Sequence, residues 1–482
     1  MSATDTQNFR QKMSARGTRL KSNVIGFLSG SSLRRRLLSG GTWSFVGKVG
    51  GSIIGVVTNG LLARMLTPQE FGAYLLALSI IMFGAVVGSL GLPKTTVRLV
   101  AENMSFKQFG RTRRAIYKIL GLGVLGAVGV SLAYLLVVGD LVGRYLFHSP
   151  ALVAVTGLTA GWIAISVVQE ITAETFRGFH DFRMATLLGG LATGGKSGGL
   201  IMRVLLLACL VVLWSASGKI DLRTVMLISI GAGITTGLLG VWLLRSKVSS
   251  LDTRGDEDAI SARDVLRDAF PILLISLTSF ILLTSSDLWI LGAFRSQEEV
   301  AVYGAAARLV AFIAMPLLVT NLVLPPLIAE MYAQGETNKL ERTVRTFSAM
   351  CGIPSLLLLA VFMLLGGQIL GLVYGSYYEE GATVLMLLSI GKLVEVGSGS
   401  CGAVLQFTGH QRSMLRVNLL TSPLFIVGAL LVVRDYGSIG VASMTASITV
   451  VYNVAMVLVA KKQTGIWTHV SLSSFRKTLL HR

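Results

Sequence analysis

The stretch that decides the fold runs from Leu356 to Leu365 and reads LLLLAVFMLL. It lies inside a longer apolar segment at 347–370. A helix that crosses about 30 Å of hydrocarbon at about 1.5 Å per residue needs roughly 20 apolar residues. A spanning β-strand would instead alternate apolar and polar residues over about ten positions, and this run does not alternate. The stretch therefore predicts a membrane-spanning helix.

Similar apolar segments recur along the whole chain. Hydrophobic residues make up 52% of the sequence and charged residues only 14%, against roughly 25% charged in an average soluble domain. We predict an all-α integral membrane protein with about twelve transmembrane helices, near 41–66, 71–92, 116–138, 151–172, 185–214, 223–244, 271–294, 301–327, 347–370, 384–404, 417–433 and 439–460.

The basic residues fix an orientation. The leader, the tail and every second loop together carry 31 Lys and Arg, whereas the opposite side carries five. Because basic residues stay on the cytoplasmic side, both termini are predicted to be cytoplasmic. The net charge of +19 is spread over loops beside apolar helices, so it indicates topology and contact with anionic membrane lipids and excludes nucleic-acid binding.

Several kinds of function lack their motifs. The string Gly121–Gly126 satisfies G-x-G-x-x-G but lies inside a predicted spanning helix, so its context excludes a dinucleotide site. No phosphate-binding loop of the G-x-x-x-x-G-K-S/T type occurs, and the five histidines have no metal-ligand spacing. No extramembrane segment exceeds about 40 residues, which is too short for an independent domain. We expect no enzyme activity, no metal and no cofactor.

The chain carries an internal repeat. Glu70–Tyr74, between the first two spans, recurs as Glu299–Tyr303 between spans seven and eight, and Tyr145 matches Tyr374 at the same offset. Each copy has six spans, an even number, so both copies enter the membrane from the same side. The repeats are then parallel, which is typical of two lobes around a central cavity.

This organisation predicts five parts. A cytoplasmic basic leader occupies 1–39 and an N-terminal six-helix lobe 40–250. A charged cytoplasmic linker at 251–270 precedes a C-terminal six-helix lobe at 271–465 and a cytoplasmic basic tail at 466–482.

The same strings carry a resemblance to a known family. Residues 63–74 (ARMLTPQEFGAY), then Gly91-Leu92 and Val97–Val100, resemble the N-terminal signature of Wzx-type polysaccharide transporters, and Asp287–Gly292 with Val302–Leu309 resemble the start of that family's C-terminal lobe. The resemblance implies the multidrug/oligosaccharidyl-lipid/polysaccharide (MOP) superfamily fold in a bacterial inner membrane. It also implies transfer of a polyprenyl-diphosphate-linked oligosaccharide between the leaflets, with a polysaccharide polymerase and chain-length machinery as possible partners.

Charged residues inside spans are candidate site residues, because burying one in hydrocarbon costs about 2.5 to 3.5 kcal/mol on insertion scales. A diphosphate carries about two negative charges and is matched by Arg or Lys in a shielded cavity. We predict a head-group site formed by Lys48, Arg64, Lys196, Arg203 and Arg308. Lys48 and Arg64 lie near span ends, where snorkelling to the lipid head groups is an alternative.

Other charged residues suggest ion pairs. Asp287 and Arg308 lie at similar depths in adjacent antiparallel spans and could pair, either as a structural staple or as part of a gate. Lys392 and Glu395 are three residues apart on one helix face, which favours a local structural pair. Glu170 is the one carboxylate within the spans of the N-terminal lobe.

Glycine and proline mark candidate hinges. The fifth span contains Gly194 and Gly195 among paired glycines, and Gly47, Gly51 and Gly55 form a small-residue face on the first. Such faces permit close helix packing, and local unwinding is the alternative reading. Pro316 removes a backbone hydrogen bond and is expected to kink the eighth span.

Two competing functions remain at this point. A cation-coupled multidrug antiporter of the same fold would need acidic residues in the N-terminal lobe to bind H⁺ or Na⁺. A membrane-embedded glycosyltransferase or polymerase would need a sizeable outer loop, and the sequence has none.

Overall fold

The architecture is that of helices alone, as predicted. The computed structural model describes residues 32–189, 199–251, 261–283 and 286–471, and no strand occurs within them. Residues 1–31 of the predicted leader, 252–260 of the linker and 472–482 of the tail lie outside the described residues. Seven helices in the described chain are long and apolar enough to cross a membrane, and the count of twelve crossings stays a prediction.

The first half of the chain forms the N-terminal lobe. Its helices are α1 (Ser32–Met65), α2 (Pro68–Gly88), α3 (Leu92–Ser105), α4 (Phe109–Ala133, continued by π-helical turns to Leu146), α5 (Thr156–Gly178), α6 (Phe182–Leu188), α7 (Leu200–Ser217) and α8 (Leu222–Ser249).

The second half forms the C-terminal lobe. Its helices are α9 (Ala262–Leu283), α10 (Ser286–Phe294), α11 (Gln297–Ala333), α12 (Thr337–Tyr374), α13 (Ala382–Ser398), α14 (Cys401–Phe407) and α15 (Gln411–Thr464). Gly437 adopts non-helical angles inside α15 and divides it into a first arm (411–436) and a second arm (438–464), at the turn predicted between spans eleven and twelve.

Several predicted spans are not described as single helices. The span at 185–214 comprises α6, which ends before Gly189, and α7, which begins after Gly199, and residues 190–198 lie outside the described part. The span at 151–172 begins with a separate short helix, Pro150–Ala154, before α5. In the span at 271–294, residues 284 and 285 between α9 and α10 lie outside the described part. The span at 384–404 is interrupted between α13 and α14, where Gly399 has a φ of +71°. Residues 93–105, predicted as a loop, lie in helix α3, whose apolar residues face one side and pack on α5 and α9.

The two halves repeat one stabilising contact. At the start of α2, Thr67 and Glu70 form a reciprocal capping box, and the Glu70 carboxylate also accepts from the Leu222 amide at 3.4 Å. In the C-terminal lobe, Glu299 accepts from the Ser438 amide at 2.5 Å. Each glutamate therefore joins the start of its lobe's second crossing to the start of its last, which agrees with the predicted duplication.

The lobes meet at the predicted outer ends of the helices. Small residues bring the backbones close: a Cβ on Gly72 would lie 1.9 Å from the Gln297 carbonyl oxygen, and one on Gly60 would lie 2.6 Å from that of Val373. The Trp289 indole donates to the Ser79 hydroxyl across the same seam at 2.8 Å. One apolar core runs continuously through both lobes here.

A second contact between the lobes lies on the predicted inner side. Arg98 on α3 forms an ion pair with Asp268 on α9. Gly91, which begins α3 with a φ of +75°, packs directly against the Ala269 carbonyl. These contacts hold α3 of the N-terminal lobe against α9 of the C-terminal lobe.

Candidate functional site

A cavity of about 800 Å³ lies against the C-terminal lobe. Its walls come from α10, α11, α13, α14 and both arms of α15, and Lys48 on α1 is the lining residue from the N-terminal lobe. The polar and charged lining residues are Lys48, Ser286, Asp287, Asn321, Lys392, Glu395, Ser400, Thr421, Ser422, Thr445, Thr449, Tyr452 and Asn453. The cavity therefore lies where the two lobes face each other.

Two cavity-lining residues form the local pair that the sequence predicts. The Lys392 ammonium group and the Glu395 carboxylate lie 2.6 Å apart, three residues along α13. Both side chains are about one third exposed, so the pair faces open space in the cavity. The two residues thus form a pair within α13, and its structural or gating role stays a prediction.

The predicted pairing of Asp287 with Arg308 is wrong. The Asp287 carboxylate accepts a hydrogen bond from the Tyr303 hydroxyl at 2.9 Å, and that hydroxyl lies 3.3 Å from the Thr445 hydroxyl. Tyr303 and Arg308 are five residues apart on α11, which at roughly 100° per residue places them about 140° apart around the helix. Arg308 consequently points away from Asp287.

Arg308 instead lies within electrostatic range of Arg203 from the other lobe. The two guanidinium groups are close enough to interact electrostatically, and both also interact with the Tyr74 hydroxyl. Arg203 donates to the Gly51 carbonyl at 2.8 Å and lies over Gly55, where a Cβ would be 2.7 Å from its nitrogen. The predicted small face of α1 thus accommodates an arginine.

The guanidinium group of Arg308 is incompletely hydrogen-bonded. Its Nε is buried and has no hydrogen-bond partner among the described residues. Arg308 also interacts electrostatically with Tyr374, whose buried hydroxyl likewise lacks a described partner. Two like charges held together in a low-dielectric interior repel each other, and an anion placed between them would relieve that repulsion. The adjacent residue, Ala307, lines the cavity.

Arg64 lies in a different environment. Its guanidinium donates to the carbonyl oxygens of Leu372 at 2.5 Å, Val373 at 3.3 Å and Gly371 at 3.4 Å. These carbonyls end α12, where the last carbonyls of a helix have no intrahelical partner and carry partial negative charge. Arg64 therefore joins the lobes at the outer seam, and its role in head-group binding stays a prediction.

The other predicted site residues are placed as follows. Lys196, Gly194 and Gly195 lie outside the described residues. Glu170 is half-buried near the inner end of α5. Helix α11 runs without interruption through Pro316, so its role as a hinge stays a prediction.

Tyrosines are the site residues that sequence reasoning missed. Tyr74 and Tyr374 lie beside the two arginines, and Tyr303 holds Asp287. All three were visible as members of the repeated strings, since Tyr74 matches Tyr303 and Tyr145 matches Tyr374. Their hydrogen-bonding role depends on which helices face each other, which the repeat alone does not specify.

Fold and site together define a two-lobed membrane transporter, and comparison with known proteins agrees. A family described as polysaccharide biosynthesis protein matches residues 37–332, and the MatE family matches residues 271–431. The chain belongs to the polysaccharide biosynthesis protein family, and the predicted Wzx-type resemblance is confirmed.

One curated relative supports the same family over a short stretch. The chain is 40% identical over 62 residues to the succinoglycan biosynthesis transport protein ExoT of Rhizobium meliloti, and this match covers 13% of that protein's length and 13% of this chain.

Solved structures share the fold at low identity. An inward-facing multidrug resistance MATE family transporter of the MOP superfamily matches with a TM-score of 0.70 at 15% identity, covering 90% of this chain and 99% of that one. The lipid II flippase MurJ in an inward closed conformation matches with a TM-score of 0.64 at 14% identity, covering 90% and 88%. A MOP superfamily transporter from Pyrococcus furiosus matches with a TM-score of 0.62 at 14% identity, covering 91% and 97%.

Proposed function

We propose that this chain moves a polyprenyl-diphosphate-linked oligosaccharide from the cytoplasmic to the outer leaflet of a bacterial inner membrane, for surface polysaccharide synthesis. The family is one of polysaccharide biosynthesis, and its matched relatives are transporters. In this proposal both termini are cytoplasmic, the lobes at 40–250 and 271–465 alternate access to the cavity, and a polymerase with chain-length machinery receives the product.

One observation supports the diphosphate most directly. Arg203 and Arg308 come from opposite lobes and lie within electrostatic range of each other. An anion held by both arginines would be bound more strongly than by either arginine alone. It would also hold the two lobes together. Guanidinium groups suit this task because their planar donors match phosphate oxygens. Lys48, in the adjoining cavity, would supply a further positive charge.

The cavity suits the sugar portion of such a substrate. Its wall mixes hydroxyl and amide side chains with apolar ones and carries a neutralised Lys392–Glu395 pair. Hydroxyl and amide groups are the usual hydrogen-bond partners of polar ligands in such pockets. The polyprenyl tail would stay in the lipid.

The test is export of lipid-linked glycan in cells. Deletion of the gene should cause the lipid-linked precursor to accumulate on the cytoplasmic face, and the wild-type gene should restore export. Loss of one charge-assisted contact removes about 1.5 to 3 kcal/mol, so Arg203→Ala or Arg308→Ala should weaken head-group binding about 10- to 150-fold. The control is Arg412→Ala, which replaces an exposed arginine that takes no part in the described contacts between the lobes.

Full export by both arginine variants would refute the proposed head-group site. A change in drug sensitivity with normal glycan export would support the cation-coupled antiporter instead. That alternative would need carboxylates in the N-terminal lobe to bind the cation, whereas the cavity-wall carboxylates of Asp287 and Glu395 belong to the C-terminal lobe.

A further inference from the structure

The wall of the cavity contains a break in a helix. Helix α13 ends at Ser398 and α14 begins at Cys401, and the residues from Gly399 to Ala403 line the cavity. The equivalent helix of the first lobe, α5, runs without a break from Thr156 to Gly178. The duplicated architecture therefore does not require this break, and something specific to the second lobe stabilises it.

The break exposes backbone carbonyls that a neighbouring segment satisfies. Residues 465–471, here called the terminal segment, follow the second arm of α15 and are not helical. The Thr468 hydroxyl donates to the Ser398 carbonyl at 2.9 Å, and the Val470 amide donates to the Gly397 carbonyl at 2.8 Å. Carbonyls at a helix end have no partner in their own helix, so the terminal segment supplies what α13 lacks.

The terminal segment is itself held firmly. Ile466 is fully buried among apolar residues of α11, α12 and α14. The Ser348 hydroxyl on α12 donates to the Thr468 carbonyl at 2.9 Å, and the Trp467 amide donates to the Glu341 carboxylate at 3.1 Å. The first part of the predicted tail is thus packed into the lobe.

The fit between segment and break is close. A Cβ at position 399 would lie 2.4 Å from the Thr468 carbonyl oxygen and 2.0 Å from the Ser348 hydroxyl. Gly399 is therefore doubly required, by its φ of +71° and by this contact. At this point the terminal segment is in direct backbone contact with the cavity wall.

We propose that Thr468 is a positioning residue for transport: the terminal segment fixes the break at 398–400 and so sets the shape of the cavity wall that the substrate meets. This inference rests on the proposed function, in that the cavity is taken as the substrate path. Thr468 acts through the Ser398 carbonyl and is fully buried, so it does not contact the substrate.

The chain contains its own reporter for this wall. Cys401 begins α14, lines the cavity and is 4% exposed. With Cys209→Ser and Cys351→Ser as background, the rate at which a small methanethiosulfonate reagent modifies Cys401 measures how often the wall opens. Thr468→Val removes the hydroxyl at nearly constant volume, whereas Thr468→Ser keeps it.

The control is Thr175→Val. Thr175 is also fully buried, and its hydroxyl bonds within its own helix to the Ile171 carbonyl at 2.7 Å. Losing one net hydrogen bond should raise the modification rate of Cys401 about fivefold in Thr468→Val, with Thr468→Ser and Thr175→Val close to the background protein. Glycan export by Thr468→Val should fall, and Thr468→Ser should restore it. If Thr468→Val does not fold, Ser348→Ala takes its place. This variant removes the neighbouring hydrogen bond to the Thr468 carbonyl, and it should likewise raise the modification rate of Cys401.

An unchanged Cys401 rate in Thr468→Val and Ser348→Ala would overturn the inference, because the wall would then be held without the terminal segment. A raised rate with normal export would overturn the positioning role while leaving the contact real. The proposed function fails separately, through full export by Arg203→Ala and Arg308→Ala, whatever the Cys401 rate.

Discussion

Arg64 offers a direct way to loosen the seam between the lobes. Its guanidinium donates to three carbonyls at the end of α12, of which only the Leu372 contact, at 2.5 Å, is short. Arg64→Gln keeps a polar side chain but removes the charge and the reach. We expect the lobes to separate more often at the predicted outer side.

The size of the effect follows from these contacts. A hydrogen bond from a charged donor contributes about 1.5 to 3 kcal/mol, but Arg64 is exposed to solvent, so about 1 to 2 kcal/mol is expected. That corresponds to a change of about 5- to 30-fold in the ratio of outer-closed to outer-open molecules. An outer-open state populated at about 1% would rise to between about 5% and 25%.

Pulsed electron–electron double resonance measures this population. Spin labels at Ser215, near the outer end of α7, and Tyr436, at the outer end of the first arm of α15, report the separation of the lobes, and both residues are exposed. The control is Arg144→Gln, an exposed arginine whose ion pair with Asp140 lies within its own helix. An unchanged distance distribution in Arg64→Gln, relative to this control and the wild type, would refute the reasoning.

Three further predictions concern stability, each measured by thermal unfolding in detergent or nanodiscs. Lys392→Met should lower the melting temperature because it leaves Glu395 unpaired in the cavity wall, and adding Glu395→Gln should recover most of the loss; additive losses would contradict this. Glu299→Gln should destabilise the C-terminal lobe because it weakens the contact with the start of its last crossing, an expectation that fails if Glu299→Gln melts like wild type. Burial, with help from neighbouring Arg345, lowers the pKa of His469 below its ordinary value of 6.5. The stability that neutral His469 contributes is therefore present above pH 6.5 and is lost as the pH falls toward the folded-state pKa. His469→Gln should remove this pH dependence, and an unchanged pH profile would contradict the assignment.

Much of the fold was predictable because its signals are local or additive. Hydropathy over 20 residues identifies a span, and the distribution of Lys and Arg over loops predicts the orientation. The repeat of Glu70–Tyr74 in Glu299–Tyr303 indicated the duplication, and the structure gives the two glutamates matching contacts. Such signals do not depend on how helices turn about their own axes.

The site was less predictable because it depends on helix rotation and on partners distant in sequence. Depth alone suggested Asp287 with Arg308, but their helical phases direct one toward Tyr303 and the other toward Arg203. The break at Gly399 coincides with a local run of Gly and Ser at 397–400, but its carbonyls are satisfied by a segment about 70 residues later. A sequence read span by span cannot reveal such a contact.

The two matching glutamates bear on how the molecule could move. Glu70 and Glu299 each join the start of the second crossing to the start of the last crossing within one six-helix unit. Bending inside a unit would break this hydrogen bond, whereas movement of one unit relative to the other would not. Movement of one unit against the other would instead open the seam, where Gly60 and Gly72 pack against backbone carbonyls and where Arg64 bonds across. We therefore expect the two units to move as stiff halves, and a bulkier residue at Gly60 or Gly72 should prevent the seam from closing.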